Sequence, residues 1–469
     1  MRLHDASAAL KALIGIAALL PVLAMAQDLS ADPDLKPGAW PDPHRPLAQE
    51  LVASAGPAMT VTLVGSLLLD SPSDQPPPFD VGVRALLNPG RQNATVGVLQ
   101  GPLVDARAAG MYPYPWDAAP ALRADPRTAA WLREQGFSGV MRATAHALDW
   151  GIEGMRATTA GLDEAKLPHA GTGDTLGVAA HADYIDDPAG GGRIAIVSAA
   201  TTFRPTSNAL APHGAAPGRP GISGIDLDPT RLVAQKQVAE LQTIACRFQY
   251  PNDASACAGL SPAATVTALG STFSAESDPT RQGTTRYDIN VTEANFVLSN
   301  IREGKENADY LVAAINAGEI SNAKNPLEIP DFLQKLLQAA ITAGADAAFA
   351  TGRAELGGIQ IYTGPNKRKF PIFYGLGNFA WSSGYGQPGT VQGVLVRLSY
   401  GDAQGTIDIF PLDLSTGWPV RARQAIADAT LDRLNDLSRQ FGTTIAKVNA
   451  DGFLIGRITY SLFAQGGSR

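Results

Sequence analysis

The sequence predicts an α/β fold, a layered sandwich of β-sheets flanked by helices. Two observations predict it. From Thr60 to about residue 202, apolar β-branched runs alternate with helix-patterned runs. From about residue 346 to 411, strand-like runs then follow one another directly. Alternating units followed by consecutive strands suit sheets held between helical layers.

The elements follow in order. "MTVTLVGSLLLD" (59–70) and "NATVGVLQGPLV" (93–104) are near-continuous apolar runs, the pattern of strands buried on both faces. A helix is expected over 127–136, carrying Trp131 and Leu132 and stopping at Gly136, and a second from about Ile152 to Lys166. "RIAIVSAATT" (193–202) is a further buried strand. Residues 204–290 break the rhythm with a Pro/Gly-rich loop, an expected helix at 230–243 and a Ser/Thr-rich piece. That is long for a plain connection, so it reads as an insertion with its own hairpin or helix.

Order returns with a helix at 293–306 and a strand at 309–316. Residues 330–343 are amphipathic: Phe332, Leu336 and Ala340 share a face with Leu333, Leu337 and Ile341. Strands are expected at 346–351, 358–363, 370–375, 392–399 and 405–411. A last helix runs from about Ala425 to Phe441, with Gly442 as its stop.

The N-terminus reads as a targeting segment. Arg2 and Lys11 precede the apolar run Ala12–Ala26, which ends in the small-x-small site Ala24-Met25-Ala26. The run falls short of the roughly 20 residues that span a bilayer, so 1–26 is expected to be a signal peptide and the mature chain exported, to the periplasm or outside the cell. A Pro-rich extension, 27–56, then leads into one domain over 57–469. Removing Arg2, Lys11 and Asp5 takes Lys+Arg from 37 to 35 and Asp+Glu from 44 to 43, a net charge of −8. That balance gives no reason to expect nucleic acid. Cys246 and Cys257 stand alone, without a His pair, and in an exported chain read as one short disulfide rather than a zinc site.

His146 and Asp149 lie in a tight loop ending at Gly151. An Asp three residues on can orient the imidazole as a general base; it can equally cap the following helix while the ring packs. Ser66 as a nucleophile lacks a Gly-x-Ser-x-Gly frame. His169, His181 and His213 read as surface or loop residues, and Lys367-Arg368-Lys369 as a solvated hairpin tip. Tyr112, Tyr114, Trp116, Trp150 and Trp381 can line a groove, although rings more often pack in cores. Gly171-Thr172-Gly173 is a weak anion-loop motif.

"AHALDWGIEGM", "LPHAGTGDTL", "ITAGADAAFATG", "GGIQIYTG", "FPIFYGLGNFAW" and "LDRLNDLSRQFGTTI", in this order, resemble the CapA proteins linked to poly-γ-glutamate capsule synthesis. Their fold is similar to that of calcineurin-like metallophosphatases. The resemblance implies a two-metal site, yet this chain departs from it at most ligand stations. Ser66 stands where the family has Asp, and Val98-Leu99-Gln100 where it has Asn-Leu-Glu. Thr144-Ala145-His146 replaces Asn-Asn-His, Asn316 replaces His, and Ala350-Thr351-Gly352-Arg353-Ala354 replaces Gly-His-His-Pro-His. Only His146 is retained as a ligand type; Asp149 and Asn378 of "GLGNF" are retained framework. Losing both carboxylates removes the charge that two cations need, so no cofactor or metal is expected.

The resemblance thus implies an exported protein of capsule or envelope polymer metabolism, acting on a poly-γ-glutamate-type polymer or with the capsule-synthesis machinery, and meeting the membrane only through partners. The rival reading is a metal-dependent or His146-based hydrolase of phosphoester or amide bonds. His146, Asp149 and Asn378 are its candidate catalytic residues; Ser66, Gln100 and Asn316 are the ligand-binding candidates.

Overall fold

The computed structural model describes residues 60–69, 76–87, 93–105, 107, 111–114, 121–186, 192–322, 325, 328–381, 392–401 and 403–463. The expected leader, the Pro-rich extension and Trp116 lie outside these.

Two large sheets face each other. In the ten-stranded sheet, Thr60–Leu68 is central, with Asn93–Leu99, Gly139–Met141 and His169–Ala170 following in parallel on one side. On the other side Gln392–Tyr400, Gln404–Asp413, Phe453–Ser461 and Ala446–Ala450 run as an antiparallel meander. The six-stranded sheet has four parallel inner strands, Lys369–Phe373, Ala347–Thr351, Tyr310–Asn316 and Arg193–Ala200, with antiparallel edges Ile359–Thr363 and Asp183–Asp186. Every residue of Tyr310–Asn316 and Ala347–Thr351 is buried, as parallel strands covered on both faces require.

The core lies between the sheets: Val61, Leu63, Val96 and Met141 of one meet Ile196, Val312, Phe349 and Phe373 of the other. Outside the six-stranded sheet, helices Val291–Glu306 and Asp331–Thr342 cover Val197, Leu311 and Ile315. Outside the ten-stranded sheet, Thr128–Glu134, Gly151–Glu164 and a cluster of Phe79, Trp131, Phe137, Phe379 and Trp418 close the other layer. This is the layered sandwich expected.

The segment around 204–290 differs from expectation. Leu227–Val233 is a strand, not the start of a helix, and the helix follows it at Gln235–Gln249. Pro229 disfavours helix in the residue before it, and Thr230 and Leu232 are buried at period two. The strand joins Thr265–Ala268, Ser271–Ala275 and Thr285–Ile289 in a four-stranded sheet. Residues 205–226 lie with the main body instead, where Ile222 packs with Ala147 and Phe203.

Cys246, near the end of the Gln235–Gln249 helix, is bonded to Cys257. Closing a loop of 11 residues' separation stabilises by about 3 kcal/mol in the chain-entropy model. The expected result is no alkylatable thiol without reductant and two with it, read by mass spectrometry. Two reactive thiols in the untreated protein would refute the bridge.

Candidate functional site

The first strand carries a kink that aims Ser66. Leu63 pairs with Val96 and Ser66 with Val98, so three steps on one strand oppose two on the other. This is a β-bulge, and it shifts the alternation: Val61 and Leu63 face the inter-sheet core, whereas Val64 and Leu67 face the outer layer. Just past it the strand changes partner, from Gln392–Tyr400 to Asn378–Trp381, and Ser66 comes opposite Asn378. The Ser66 N–H donates to the Gly377 carbonyl at 3.2 Å. Gln100, at the exit of the next strand, donates from Nε2 to Ser66 Oγ at 2.8 Å. The Thr144 hydroxyl donates to the Gln100 carbonyl at 2.6 Å. Three of the sequence candidates, Ser66, Gln100 and Asn378, thus meet at one group of strand ends.

His146 follows in the loop held by Ala147 N to Thr144 O and Asp149 N to His146 O. Gly151, at φ 69°, ends it in a conformation open to glycine. Asp149 does not cap the helix, whose N-cap, Trp150, offers no side-chain bond. Its Oδ2 instead accepts from the Leu122 N–H at 2.9 Å and faces His146 Nδ1 at 2.8 Å. Asp149 is fully buried and its Oδ1 has no hydrogen-bond partner. The buried carboxylate thus holds the imidazole by Nδ1 and orients the ring.

The six-stranded sheet supplies the other wall. Asn316 Nδ2 donates to Thr351 Oγ1 at 3.2 Å, and its carbonyl accepts from the Thr201 N–H at 2.9 Å. The Thr201 hydroxyl donates to Glu319 Oε2 at 2.8 Å. Several contacts join the walls, among them the Ala143 N–H donating to Ser198 Oγ at 3.2 Å and a bridge between Leu356 and Leu376. Phe203 packs with Ala147 and Leu148 of the His146 loop. A Cβ built on Gly377 would lie 3.3 Å from the Ala354 carbonyl.

Glu319 escaped the sequence reading. Its signal was a carboxylate three residues past Asn316, behind Gly318. Burial pushes its carboxyl above the ordinary glutamate value, against the Thr202 and Thr201 hydroxyls, which pull it down. The fold therefore prefers the protonated form, and that preference is lost as pH rises through the raised value. Glu319→Gln, which imitates the protonated acid, should gain melting temperature relative to wild type as pH goes from about 4 to about 8. A constant difference across that range would show the carboxyl to be unperturbed.

The remaining candidates lie elsewhere. His169 is wedged between Arg142 Nη1 (3.4 Å) and Asp163 Oδ1 (3.2 Å), and burial followed by the Arg142 charge lowers its pKa. Gly171 is a close-packing position, where a Cβ would fall 2.4 Å from the Ala143 nitrogen. His213 is exposed on a turn, and Arg368 lies 3.6 Å from Asp346. Trp150 and Trp381 are buried and Tyr112 is 76% exposed, so these rings do not line one groove. Arg204 stacks 4.0 Å over Tyr114.

The donors at the strand ends are one imidazole, the carboxamides of Gln100, Asn316 and Asn378, and the hydroxyls of Ser66 and Thr351. Among the described residues, no three His, Cys, Asp or Glu side chains gather where a metal ion could sit. A pair of divalent cations about 3.5–4 Å apart needs anionic ligands between them, and the two nearby carboxylates are engaged elsewhere, Asp149 with His146 and Leu122 and Glu319 with Thr201. The residues present do not fit a two-metal centre.

The model of the bacterial capsule synthesis protein family, PGA_cap, matches residues 55–383, which contain Ser66, Gln100, His146, Asn316, Glu319 and Asn378. Two uncharacterized proteins of Sinorhizobium fredii, y4sH and y4uA, are each 36% identical over 248 residues, covering 53% of this chain and 50% of the relative. The chain thus spans about half the length of the curated relatives it matches. With the six-stranded sheet, the parallel half of the ten-stranded sheet and the strand-end site inside the family match, the chain belongs to the bacterial capsule synthesis protein family, the CapA proteins.

Proposed function

We propose that this is an exported family member whose cleft recognises a capsule or envelope polymer of the poly-γ-glutamate type without a metal pair. The supporting observation is the Gln100–Ser66 hydrogen bond. Where the family places two carboxylates, two neutral side chains here satisfy each other, and Thr144 holds the Gln100 backbone. A cation entering would break these bonds and find no charge in return. Export rests on the Ala12–Ala26 run with its Ala24-Met25-Ala26 site and on the Cys246–Cys257 bond. Among the described residues no helix is long and apolar enough to cross a membrane, so membrane contact is assigned to partners such as the capsule-synthesis machinery. Nucleic acid is not proposed as a partner.

The His146–Asp149 pair supports a second reading, a metal-independent hydrolase of amide or phosphoester bonds. His146 Nε2 is the base and the buried Asp149 orients the ring.

One set of measurements separates them. Dialysed protein should retain well under one divalent cation per chain; a reproducible two would sink the metal-free reading. Poly-γ-glutamate should bind saturably, with no turnover of γ-glutamyl or phosphoester substrates. Turnover that falls by about 10²–10⁴-fold in His146→Ala would establish the second reading instead.

A further inference from the structure

Arg142 directly follows strand Gly139–Met141 and stands at the start of the loop that carries His146 and Asp149. Its backbone is fixed, because the Arg142 N–H donates to the Ala170 carbonyl at 2.8 Å. Its side chain reaches the helix on the far side of the loop. Nη1 donates to Thr159 Oγ1 at 2.8 Å and Nη2 to the Met155 carbonyl at 3.0 Å, both on Gly151–Glu164. One planar fork therefore ties together the two ends of the His146 loop. Between them, Thr144 bonds the Gln100 carbonyl, which makes the loop part of the strand-end site.

A cation in this place is expensive. Arg142 is 3% exposed, and burial pulls its guanidinium down to about 9 against the raising effect of the Asp163 charge. Asp163 itself pairs with His169 Nε2 at 3.2 Å. His169 Nδ1 lies 3.4 Å from Nη1, and a guanidinium can only donate, so this contact needs a neutral ring with its Nδ1 lone pair toward Arg142. An apolar side chain would fill the space without desolvating a charge. What the guanidinium adds is a pair of donors at fixed spacing, and both are spent on the helix after the loop. Thr158 anchors that helix separately, accepting from the Leu103 N–H at 2.9 Å, so the helix keeps a tie when Arg142 is replaced.

We infer that Arg142 is a positioning residue of the cleft, whose fork sets where the loop presents His146 and Asp149 to a bound polymer. The part played by the polymer rests on the function proposed above; the setting of the loop does not.

Nuclear magnetic resonance of the imidazoles, beside calorimetry with poly-γ-glutamate, tests it on the full chain. The His146 signals are identified by their loss in His146→Ala. Arg142→Ala should move them and leave those of His213, exposed on its turn, in place. Polymer affinity should fall about tenfold, since apparent affinity follows the fraction of chains with a competent loop. Arg142→Lys, with the charge and no fork, should restore both only in part. Thr159→Val, which removes one tie and keeps the charge, should shift the same signals by less, and serves if Arg142→Ala does not fold. Lys305→Met breaks the buried pair with Asp346 at the opposite strand ends and should destabilise without moving His146. Unmoved His146 signals in folded Arg142→Ala or Thr159→Val, full restoration by lysine, or an equal shift in Lys305→Met would each overturn the inference. If the wild type does not bind the polymer, the proposed function fails while the His146 signals still decide the role of Arg142.

Discussion

Lys305→Met should lower the stability of the protein by about 3–5 kcal/mol, the cost of leaving a buried carboxylate without its cation. Lys305 Nζ donates to Asp346 Oδ2 at 2.9 Å and to the Asp309 carbonyl at 2.6 Å, and both side chains of the pair are 3% exposed. Asp346 Oδ2 also accepts from the Leu311 N–H at 2.9 Å, which ties the pair to a central strand of the six-stranded sheet. Methionine keeps the stem and loses the charge. Arg368 is 3.6 Å from Asp346 Oδ1, but sits toward solvent and can replace only part of the interaction. The double variant Lys305→Met/Asp346→Asn should recover most of the loss, because Asn retains an acceptor for Leu311 and carries no charge. Urea unfolding of wild type, single and double variants decides it. A single-variant loss below about 1 kcal/mol would place the pair in the weak class of surface ion pairs.

Gly65→Ala should be comparably damaging and should also disturb the strand-end site around Ser66 and Asn378. A Cβ at Gly65 would fall 1.9 Å from the Gly377 carbonyl oxygen, a backbone atom that no rotamer change can move. The strand would have to part from Asn378–Trp381 at the point where Ser66 faces Asn378. Overpacking of this kind costs about 1–3 kcal/mol and more where backbone must shift, so the upper end is expected here. Gly177→Ala is the matched control: it lies in helix Leu176–Ala180, its nearest contact is at 3.9 Å, and it should be neutral or slightly stabilising. If the two variants melt together, the close approach of the two strands is not a packing requirement.

What the sequence made legible was local. The 330–343 pattern was read within a residue of the observed Asp331–Thr342 helix, because six apolar positions share one face. Asn378 is a sequence candidate, yet the strand Asn378–Trp381 is not: four residues are too few for a period to emerge. The bulge before Ser66 was hidden for a different reason. It is a relation between two strands, visible only when Leu63 and Ser66 are set against Val96 and Val98. In the site, the residue types were legible and their mutual bonds were not. Gln100 and Ser66 are 34 positions apart, and nothing in either segment states that one donates to the other. Glu319 was missed because a carboxylate in a loop looks solvated until burial behind Thr201 and Thr202 is known.

The four-stranded sheet enters and leaves the body at a single point. The Asn290 N–H donates to the Asp226 carbonyl at 2.9 Å, and the Asp226 N–H is itself held by Glu293 at 2.6 Å. To the rest of the chain, everything between those two residues is a detour that returns to its starting place. The two sheets of the sandwich therefore close across a junction of two bonded residues, and 227–289 carries its own covalent clasp. Leu227, Tyr287 and Ile289 still pack on the main core, so within this detour it is the far end, the Gln235–Gln249 helix with its Cys246–Cys257 bond, where length and surface chemistry can change at least cost to the strand ends.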